Sequence, residues 1–250
     1  MRCPHTDALR VKCQAVLDVT EGMIDQQGLI SFKLSQVAKE AEIANSTFYK
    51  LFESKEDLLV CCFMRNATCN HFDDFEALHP GMSAIERVLL PIIFTFEATY
   101  FSPSFNLVRQ VAVNSRVWRL ASADKAKAFE NRINLYWERI TGYLKQAVTE
   151  GELVASDDEV RELAQAITFY LSGALSAYEC RLIGKEFLQE KRQTLFRQLQ
   201  NVFKPYGWRE PLTLALFERV GVRVHMYYQA NRRDFNSCAR CMAMQEKLGG

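Results

Sequence analysis

The chain has 250 residues, of which 48% are hydrophobic, and its 31 basic and 30 acidic side chains give a net charge of +1. This length suffices for one large domain or two smaller ones, and the apolar content excludes an intrinsically disordered chain. With only 11 glycines and 6 prolines, an all-β fold with many tight turns is excluded as well, whereas the near-neutral charge indicates no class of partner.

No segment has the pattern of a membrane helix or of an export signal. The longest apolar stretch, at residues 88–96, is roughly half of the ~20 residues that a membrane-spanning helix requires. Basic and acidic side chains between residues 2 and 12 interrupt any apolar core of a signal peptide. We therefore expect a soluble cytoplasmic protein with no membrane partner.

Apolar residues recur at steps of three and four along most of the chain, which predicts α-helices. The first helix is predicted to end at Gly28, because glycine suits a left-handed C-cap. Short helices follow at 35–41 and 45–51, and another begins after Ser54. Longer helices are predicted at 81–100, 105–120, 124–149, 156–183, 187–203, 211–233 and 234–248. No strand-like alternation is found, so the predicted fold class is all-α.

Two of these short helices, joined by a three-residue turn, have the layout of a helix-turn-helix. The second of them must enter a DNA major groove about 12 Å wide, with its N-terminal side chains facing base edges. Asn45, Ser46 and Thr47 supply short donors and acceptors at that end. Tyr49 and Lys50 are predicted on the outward side, where they can meet phosphates. The inward side is predicted to consist of Phe48, Leu51 and Phe52. Lys55, at the start of the next helix, is expected to meet a backbone phosphate.

The segment from 37 to 59, VAKEAEIANSTFYKLFESKEDLL, closely resembles the signature of TetR-type transcriptional regulators. The resemblance covers about the first 65 residues. It implies an N-terminal three-helix helix-turn-helix domain at 1–66, a larger helical effector-binding and dimerisation domain at 67–207, and a helical extension at 208–250. Together with the basic side chains that we expect to share one face of this segment, it implies DNA contacts by Lys33, Asn45, Ser46, Thr47, Tyr49, Lys50 and Lys55.

Three positions depart from the family pattern. Glu42 stands where the family has a turn glycine, and a positive φ there costs a glutamate about 1 kcal/mol. Lys33 and Ala44 stand where the family has helix-capping residues, so we expect Ser35 and Asn45 to cap instead. Residues 1–66 carry eight basic and nine acidic side chains, which predicts a shallow salt dependence of DNA binding.

The remainder of the chain is expected to hold two copies together and to bind an effector. Helices 157–183 and 187–203 are the predicted dimer surface, because they are adjacent, amphipathic and rich in large apolar residues. The family resemblance further implies a small-molecule pocket. Its candidate lining residues are Phe94, Glu97, Tyr100, Trp118, Tyr136, Trp137, Phe169 and Tyr170. The predicted partners are thus double-stranded DNA, a second copy of the chain and an unidentified small molecule that releases a repressor from its operator.

Other functional classes remain open or are disfavoured. No phosphate-binding glycine loop, His-Glu-x-x-His or Gly-x-Ser-x-Gly motif is present, and the four histidines are scattered, so we predict that the chain is not an enzyme. One alternative is a DNA-associated protein that binds another protein. Another is a thiol- or metal-responsive regulator that uses Cys238 and Cys241, which have the spacing of a redox or metal pair.

No second Cys or His pair lies at zinc-finger spacing from those two cysteines. We therefore predict no metal site and no cofactor. The basic segment 208–250 is open to three interpretations, namely an extra dimer clasp, a solvated surface or an anion-binding arm.

Overall fold

A computed structural model describes residues 6–180, 182–231 and 236–249 of the chain. Its described residues form thirteen α-helices and one pair of two-residue strands. The all-α prediction is therefore confirmed. The helices are α1 (Asp7–Ser31), α2 (Leu34–Glu40), α3 (Asn45–Leu51), α4 (Lys55–Asn66), α5 (Phe72–Leu78), α6 (Ala84–Phe101), α7 (Pro103–Ala112), α8 (Ser115–Trp118), α9 (Ala123–Thr149), α10 (Asp157–Glu179), α11 (Lys191–Phe203), α12 (Leu214–Ala230) and α13 (Cys238–Gly249).

The two strands were not predicted from the sequence. β1 (Leu153–Val154) and β2 (Gly207–Trp208) pair antiparallel, with Leu153 opposite Trp208. Each is too short to show the alternation that identifies a strand in sequence. β1 follows α9 and β2 follows α11, so the strand pair joins these two parts of the chain by a short ladder of hydrogen bonds.

Local sequence signals are visible at two places in the helices. The first helix was predicted to end at Gly28, whereas α1 runs to Ser31, and Gly28, with φ 77° and ψ 167°, breaks the regular helix inside it. At α10, the Ser156 hydroxyl accepts a hydrogen bond from the Glu159 amide at 3.3 Å, and the Glu159 carboxylate accepts one from the Ser156 amide at 2.7 Å. This reciprocal capping box satisfies two amides that a helix start otherwise leaves unpaired.

Several predicted helix boundaries were wrong. The helix expected at 105–120 is two helices, because Asn114 caps α8 by accepting from the Arg116 amide at 2.9 Å. The helix expected to reach residue 183 ends at Glu179, and α11 begins four residues later than predicted, behind a Glu190 cap. The sequence pattern also gave no sign of α5. Caps and breaks of this kind depend on single side chains rather than on apolar periodicity.

The chain divides by contact into two compact units, each assembled from separate segments. Unit 1 comprises Met1–Asn70, Ala98–Asn134 and Asn231–Gly250, and unit 2 comprises His71–Glu97 and Leu135–Ala230. In unit 1, α1 packs against α2, α4, α7 and α13, and in unit 2 α10 packs against α11. This is a division by packing rather than by role, so the functional division into 1–66, 67–207 and 208–250 stays a prediction.

Among the described residues, no single helix has the length and apolarity to cross a membrane. Only α6 and α7 taken together pass that test by length and composition, and they are bent by 118° at the break between them.

Candidate DNA-binding site

The turn between α2 and α3 is a glycine-type helix end that is occupied by glutamate. The Glu42 amide donates to the Lys39 carbonyl at 3.1 Å, and the Ile43 amide donates to the Ala38 carbonyl at 3.0 Å. These two bonds form a Schellman motif, which requires a left-handed residue after the helix. Glu42 supplies it with φ 53°, and it is the one non-glycine with positive φ among the described residues. The positive φ that was expected to strain a glutamate at this turn is therefore present.

Helix α3 has one buried face and one exposed face. Phe48 and the following Phe52 are fully buried, with ring centroids 5.9 Å apart, and Leu51 is buried beside them. Their spacing places these rings against the rest of unit 1, which confirms the predicted inward face. Of the predicted contact residues on α3, Tyr49 is 51% exposed. Asn45, Ser46 and Lys50 are also exposed, and Thr47 is half-buried.

The capping expectations at α2 and α3 were wrong. Ala44 occupies the N-cap of α3, and no side chain caps that end. Asn45 is the first helical residue, so its amide is not used as a cap. At α2 the N-cap is Lys33, whose backbone N–H donates to the Gln36 side-chain oxygen at 3.1 Å. Ser35 lies inside the helix instead. Both Asn45 and the Lys33 ammonium are exposed, as DNA contact would require.

Lys55 has an intrachain role that the sequence did not predict. Its ammonium donates to the Ile30 and Phe32 carbonyls at 3.1 Å each, and lies 3.9 Å from the centre of the Phe32 ring. Partial burial lowers the pKa of Lys55, against the opposing charge of Glu56. Since an ammonium has three donors, one N–H is left for a phosphate. The residue fastens the end of α1 to the start of α4.

A buried ion pair connects α4 to the start of α9. The Asp57 carboxylate accepts hydrogen bonds from the Glu53 amide at 2.8 Å, from the Ser122 amide at 2.8 Å and from the Lys125 ammonium at 3.0 Å. Burial by itself raises the pKa of Asp57, but these donors and the charge of Lys125 outweigh burial and lower it. Asp57 is therefore held as a carboxylate inside the protein.

Lys125 also connects the start of α9 to the end of α3, the helix with the exposed face. Its ammonium also donates to the Leu51 carbonyl, the last residue of α3, and lies 4.5 Å from the centre of the Phe52 ring. A helix end leaves its final carbonyls without helical partners, and here α9 provides one. The sequence indicated Asp57 only as an acidic first-turn residue and gave no reason to single out Lys125.

A second buried network fastens α1 to α4. Arg65 is 1% exposed, and its guanidinium donates to Glu21 at 2.7 Å and to Asp18 at 2.7 Å. Asn66 donates to the same Glu21 carboxylate at 2.6 Å. Burial opposes the charge of Arg65, but the two carboxylates outweigh it and raise its pKa. This network fixes how α1 packs against α4, and no sequence motif predicted it.

The predicted effector residues are divided between the two units. Tyr100 and Trp118 belong to unit 1, and the other six belong to unit 2. Phe94 is fully buried among aromatic rings, whereas Tyr100 is 70% exposed. Glu97 is buried and bonded to the His225 ring at 2.9 Å. Trp137 and Phe169 form an edge-on pair with centroids 6.3 Å apart. The effector role of these residues stays a prediction.

A small pocket in unit 2 lies between α10 and α11. It has about 200 Å³ of empty space, part of it open to solvent. The Lys191 ammonium is 5.0 Å from the Phe96 ring centre and 3.3 Å from the Glu179 carboxylate. Its lining residues are Phe96, Tyr170, Leu171, Ala174, Leu175, Tyr178, Lys191 and Leu195. Tyr170 is thus the predicted effector residue that lines this pocket. In the part of the chain that the structure describes, no cluster of His, Cys, Asp or Glu is suited to a metal ion.

Comparison with known proteins points to the segment that carries the exposed helix. Residues 16–61 match the model of the family described as bacterial regulatory proteins, tetR family. A curated relative, the HTH-type transcriptional regulator AcrR of Shigella flexneri, is 24% identical over 166 residues, which are 65% of this chain and 75% of the relative. The segment that matches the family model, residues 16–61, contains α2, α3 and most of α4.

Solved structures extend the likeness to most of the chain. The transcriptional regulator FadR from Bacillus subtilis in complex with stearoyl-CoA has a TM-score of 0.58 at 18% identity, covering 76% of this chain and 97% of that one. The SmeT–triclosan complex has a TM-score of 0.56 at 16% identity, covering 83% and 97%. At these identities the structures show a common fold.

Proposed function

We propose that this chain, a DNA-binding transcriptional regulator of the tetR family, acts as a homodimeric repressor that a small molecule releases from a palindromic operator. The observation that carries the proposal is α3, whose inner face is buried while its outer side chains are exposed. A helix held in this way can enter a major groove without rearranging the core. The proposal assigns base reading to Asn45 and Ser46, and phosphate or base contacts to Thr47, Tyr49 and Lys50. Lys33 and the remaining N–H of Lys55 complete the set.

Dimerisation is proposed through α10 and α11. One seven-residue reading helix covers only a few base pairs, so selectivity requires two copies at a fixed spacing. Phe169 on α10 is 64% exposed, and Leu182 and Phe187 after it are 91% and 77% exposed. These large exposed apolar side chains on and after α10 support a surface covered by a partner in this part of the chain.

The effector is proposed to be a largely apolar small molecule that binds in unit 2. The named ligands of the two structural relatives, stearoyl-CoA and triclosan, support this class. The pocket between α10 and α11 has aromatic walls and one cation, Lys191, suited to an anionic end group. The pocket is small and part of its space is open to solvent, so an effector there has to move α10 away from α11.

Lys125 is the proposed link from effector to DNA. It bonds the last carbonyl of α3 and the Asp57 carboxylate of α4, and it belongs to the first turn of α9. A shift of α9 therefore moves a hydrogen-bond partner of the reading helix. An effector lowers operator affinity only by its difference in affinity for the two arrangements.

Selection of bound oligonucleotides from a random pool tests DNA recognition directly. We expect an enriched inverted repeat, since two symmetric reading helices require one. Lys50→Ala should weaken binding to it and reduce the slope of log affinity against log salt by about 0.9. Lys145→Ala, an exposed lysine on α9, is the matched control and should leave both unchanged. An unselective pool, or full affinity in a Tyr49→Ala, Lys50→Ala double variant, would refute the proposal.

Sedimentation tests the dimer separately. Phe169→Asp should convert a dimer into a monomer and abolish binding to the selected operator. Asp158→Asn, at an exposed position near the start of the same helix, should leave the dimer intact. A dimer that persists in Phe169→Asp would place the interface elsewhere.

A further inference from the structure

Unit 1 contains a pocket rich in sulfur that neither the reading helix nor the proposed effector site uses. It has about 300 Å³ of empty space, part of it open to solvent. Cysteines from three helices meet there: Cys13 of α1, Cys61 of α4, and Cys238 and Cys241 of α13. The rest of the lining is Leu17, Met64, Arg65 and Met242. The pocket therefore joins three helices that are far apart in sequence.

The pocket cysteines differ from the deeply buried ones in access. Cys13 and Cys238 are 8% and 7% exposed, whereas Cys62 and Cys69 are 1% exposed. A small solute in the pocket can reach the first two. Solvent access alone does not identify a reactive pair among the pocket cysteines.

Cys13 and Cys238 line this pocket from α1 and α13, and the Cys13 thiol donates a hydrogen bond that favours the Cys238 thiolate. The backbone N–H of Cys238 donates to the side-chain oxygen of Gln14, the residue next to Cys13, at 2.8 Å. The first residue of α13 is thereby held against α1 beside Cys13.

The surroundings of Cys238 favour its thiolate. The hydrogen bond from Cys13 lowers the pKa of Cys238 most, burial opposes it, and the charge of Arg65 lowers it further against the opposing charge of Asp18. Cys238 also begins a twelve-residue helix, where the helix dipole favours a negative charge. In contrast, burial raises the pKa of Cys241. Cys238 is thus the better nucleophile of the two on α13.

We propose that Cys13 and Cys238 are an oxidation-sensitive thiol pair, which a hydroperoxide converts into a disulfide between α1 and α13. The sequence spacing had suggested Cys238 with Cys241, whereas the contacts of unit 1 place Cys13 opposite Cys238. Cys241 also lines this pocket but lies one turn further along α13.

The chemistry needs only the two thiols and one equivalent of hydroperoxide. The Cys238 thiolate attacks the peroxide oxygen, the O–O bond breaks, and a sulfenic acid and an alkoxide or hydroxide form. The Cys13 sulfur then attacks the Cys238 sulfur, the S–O bond breaks, and water leaves with the thiol proton. The two sulfurs lose two electrons in total, and the peroxide is reduced.

The disulfide bears on DNA binding through α1. A covalent S–S bond of about 2.05 Å is much shorter than a hydrogen-bonded contact between sulfurs. Its formation pulls α13 and α1 together at Cys13, about one to two turns before the Asp18 and Glu21 carboxylates that hold Arg65 of α4. We expect operator affinity to fall by roughly 5- to 150-fold, the usual range of allosteric coupling. This consequence rests on the proposed function, whereas the oxidation itself does not.

Peptide mapping of the full-length wild-type chain decides the pairing. After hydrogen peroxide treatment and digestion without reductant, we expect a Cys13–Cys238 linked peptide that dithiothreitol removes. A Cys238–Cys241 or Cys13–Cys61 link as the main product, or oxidation at Cys180 alone, would overturn the proposal. Because this measurement needs no variant, misfolding cannot obscure it.

Variants separate the two roles. Cys238→Ser should remove both the link and sulfenic acid labelling at this pocket. Cys13→Ser should stop the reaction at a Cys238 sulfenic acid that a 1,3-diketone traps. Cys180→Ser, at an exposed thiol of unit 2, is the control and should still form the link. If the Cys13–Cys238 link reached the wild-type yield only when Cys180 is present, the direct mechanism would be overturned.

DNA binding is then measured on reduced, oxidised and re-reduced protein. Loss on oxidation and recovery with dithiothreitol support the switch. A disulfide that forms without any change in operator affinity overturns the switch but leaves the oxidation site. Absence of DNA binding in the reduced protein is a failure of the proposed function, and the peptide map still tests the thiol pair.

Discussion

Unit 1 and unit 2 stabilise their interiors by different means. In the part of unit 1 that the structure describes, five buried charged side chains bond to one another or to backbone carbonyls across helices: Glu21, Asp57, Arg65, Lys125 and Arg132. Each ties two elements at a fixed register, because a hydrogen bond to a charge tolerates little displacement. Arg132, for example, donates to the Met64 carbonyl at 3.0 Å and to the Cys241 carbonyl at 3.1 Å.

The core of unit 2 contains a cluster of aromatic rings among its aliphatic side chains. Phe94 is surrounded by Phe72, Phe75, Tyr227 and Tyr228, with ring centroids 5.2–5.7 Å away. In unit 2 the buried Glu86 carboxylate faces a half-exposed cation instead, Arg219, at 3.0 Å. Ring clusters gain free energy from area and edge contacts, which change gradually with displacement. We therefore expect unit 1 to respond sharply to charge removal and unit 2 to adapt to changes of shape.

The largest effect is expected where a charge of unit 1 loses its partner. Arg65→Met should lower the free energy of unfolding by about 3–5 kcal/mol, because Glu21 stays buried without its cation. Urea unfolding measures this. Arg161→Met, at an exposed ion pair of α10, should cost less than about 0.5 kcal/mol. Equal losses in the two variants would contradict the contrast between buried and exposed pairs.

Asp57→Asn should cost about 2–3 kcal/mol at neutral pH, because Lys125 is left buried beside a weaker acceptor. The pKa of Asp57 is lower in the folded chain than its ordinary value near 3.9. Its carboxylate therefore stabilises the fold above that value, and the contribution is lost as the pH falls through the folded pKa. Urea unfolding at pH 7 and near pH 3 should show the difference between wild type and variant shrinking in acid. A constant difference would exclude this role.

Phe94→Leu in unit 2 should cost about 1–2 kcal/mol, since the edge contacts are lost but an apolar side chain still fills most of the space. This loss should be the same at pH 7 and near pH 3, unlike that of Asp57→Asn. Hydrogen exchange should show it in α6 and α12 rather than in α1 and α4. A pH-dependent loss would break the comparison between the units.

The smallest effect has the opposite sign. Glu42→Gly should raise the free energy of unfolding by about 0.5–1 kcal/mol, because glycine adopts the positive φ of this turn without strain. Glu40→Gly, two residues earlier inside α2, should instead lower it by about 1 kcal/mol. A melting temperature that is unchanged or lowered in Glu42→Gly would contradict the turn geometry.

The helix-turn-helix was predictable because its determinants are local. Apolar spacing placed Phe48, Leu51 and Phe52 on the buried face of α3, and the glycine position of the family located the strained turn at Glu42. The roles of Lys55 and Asp57 were only half predictable. Their charges and positions at the start of α4 are visible in the sequence, but the acceptors and donors that engage them lie on α1, on the α1–α2 connection and near α9.

The sequence alone therefore determined the all-α fold class, the buried and outward faces of α3 and the resemblance of the N-terminal segment to a known family, because hydrophobic periodicity and short motifs act over a few residues. Tertiary packing decided which charges and thiols meet. Asp57 and Lys125 are 68 residues apart, and Gln14 and Cys238 are 224 apart. Pairings of that range depend on how helices pack in three dimensions, and no local propensity specifies them.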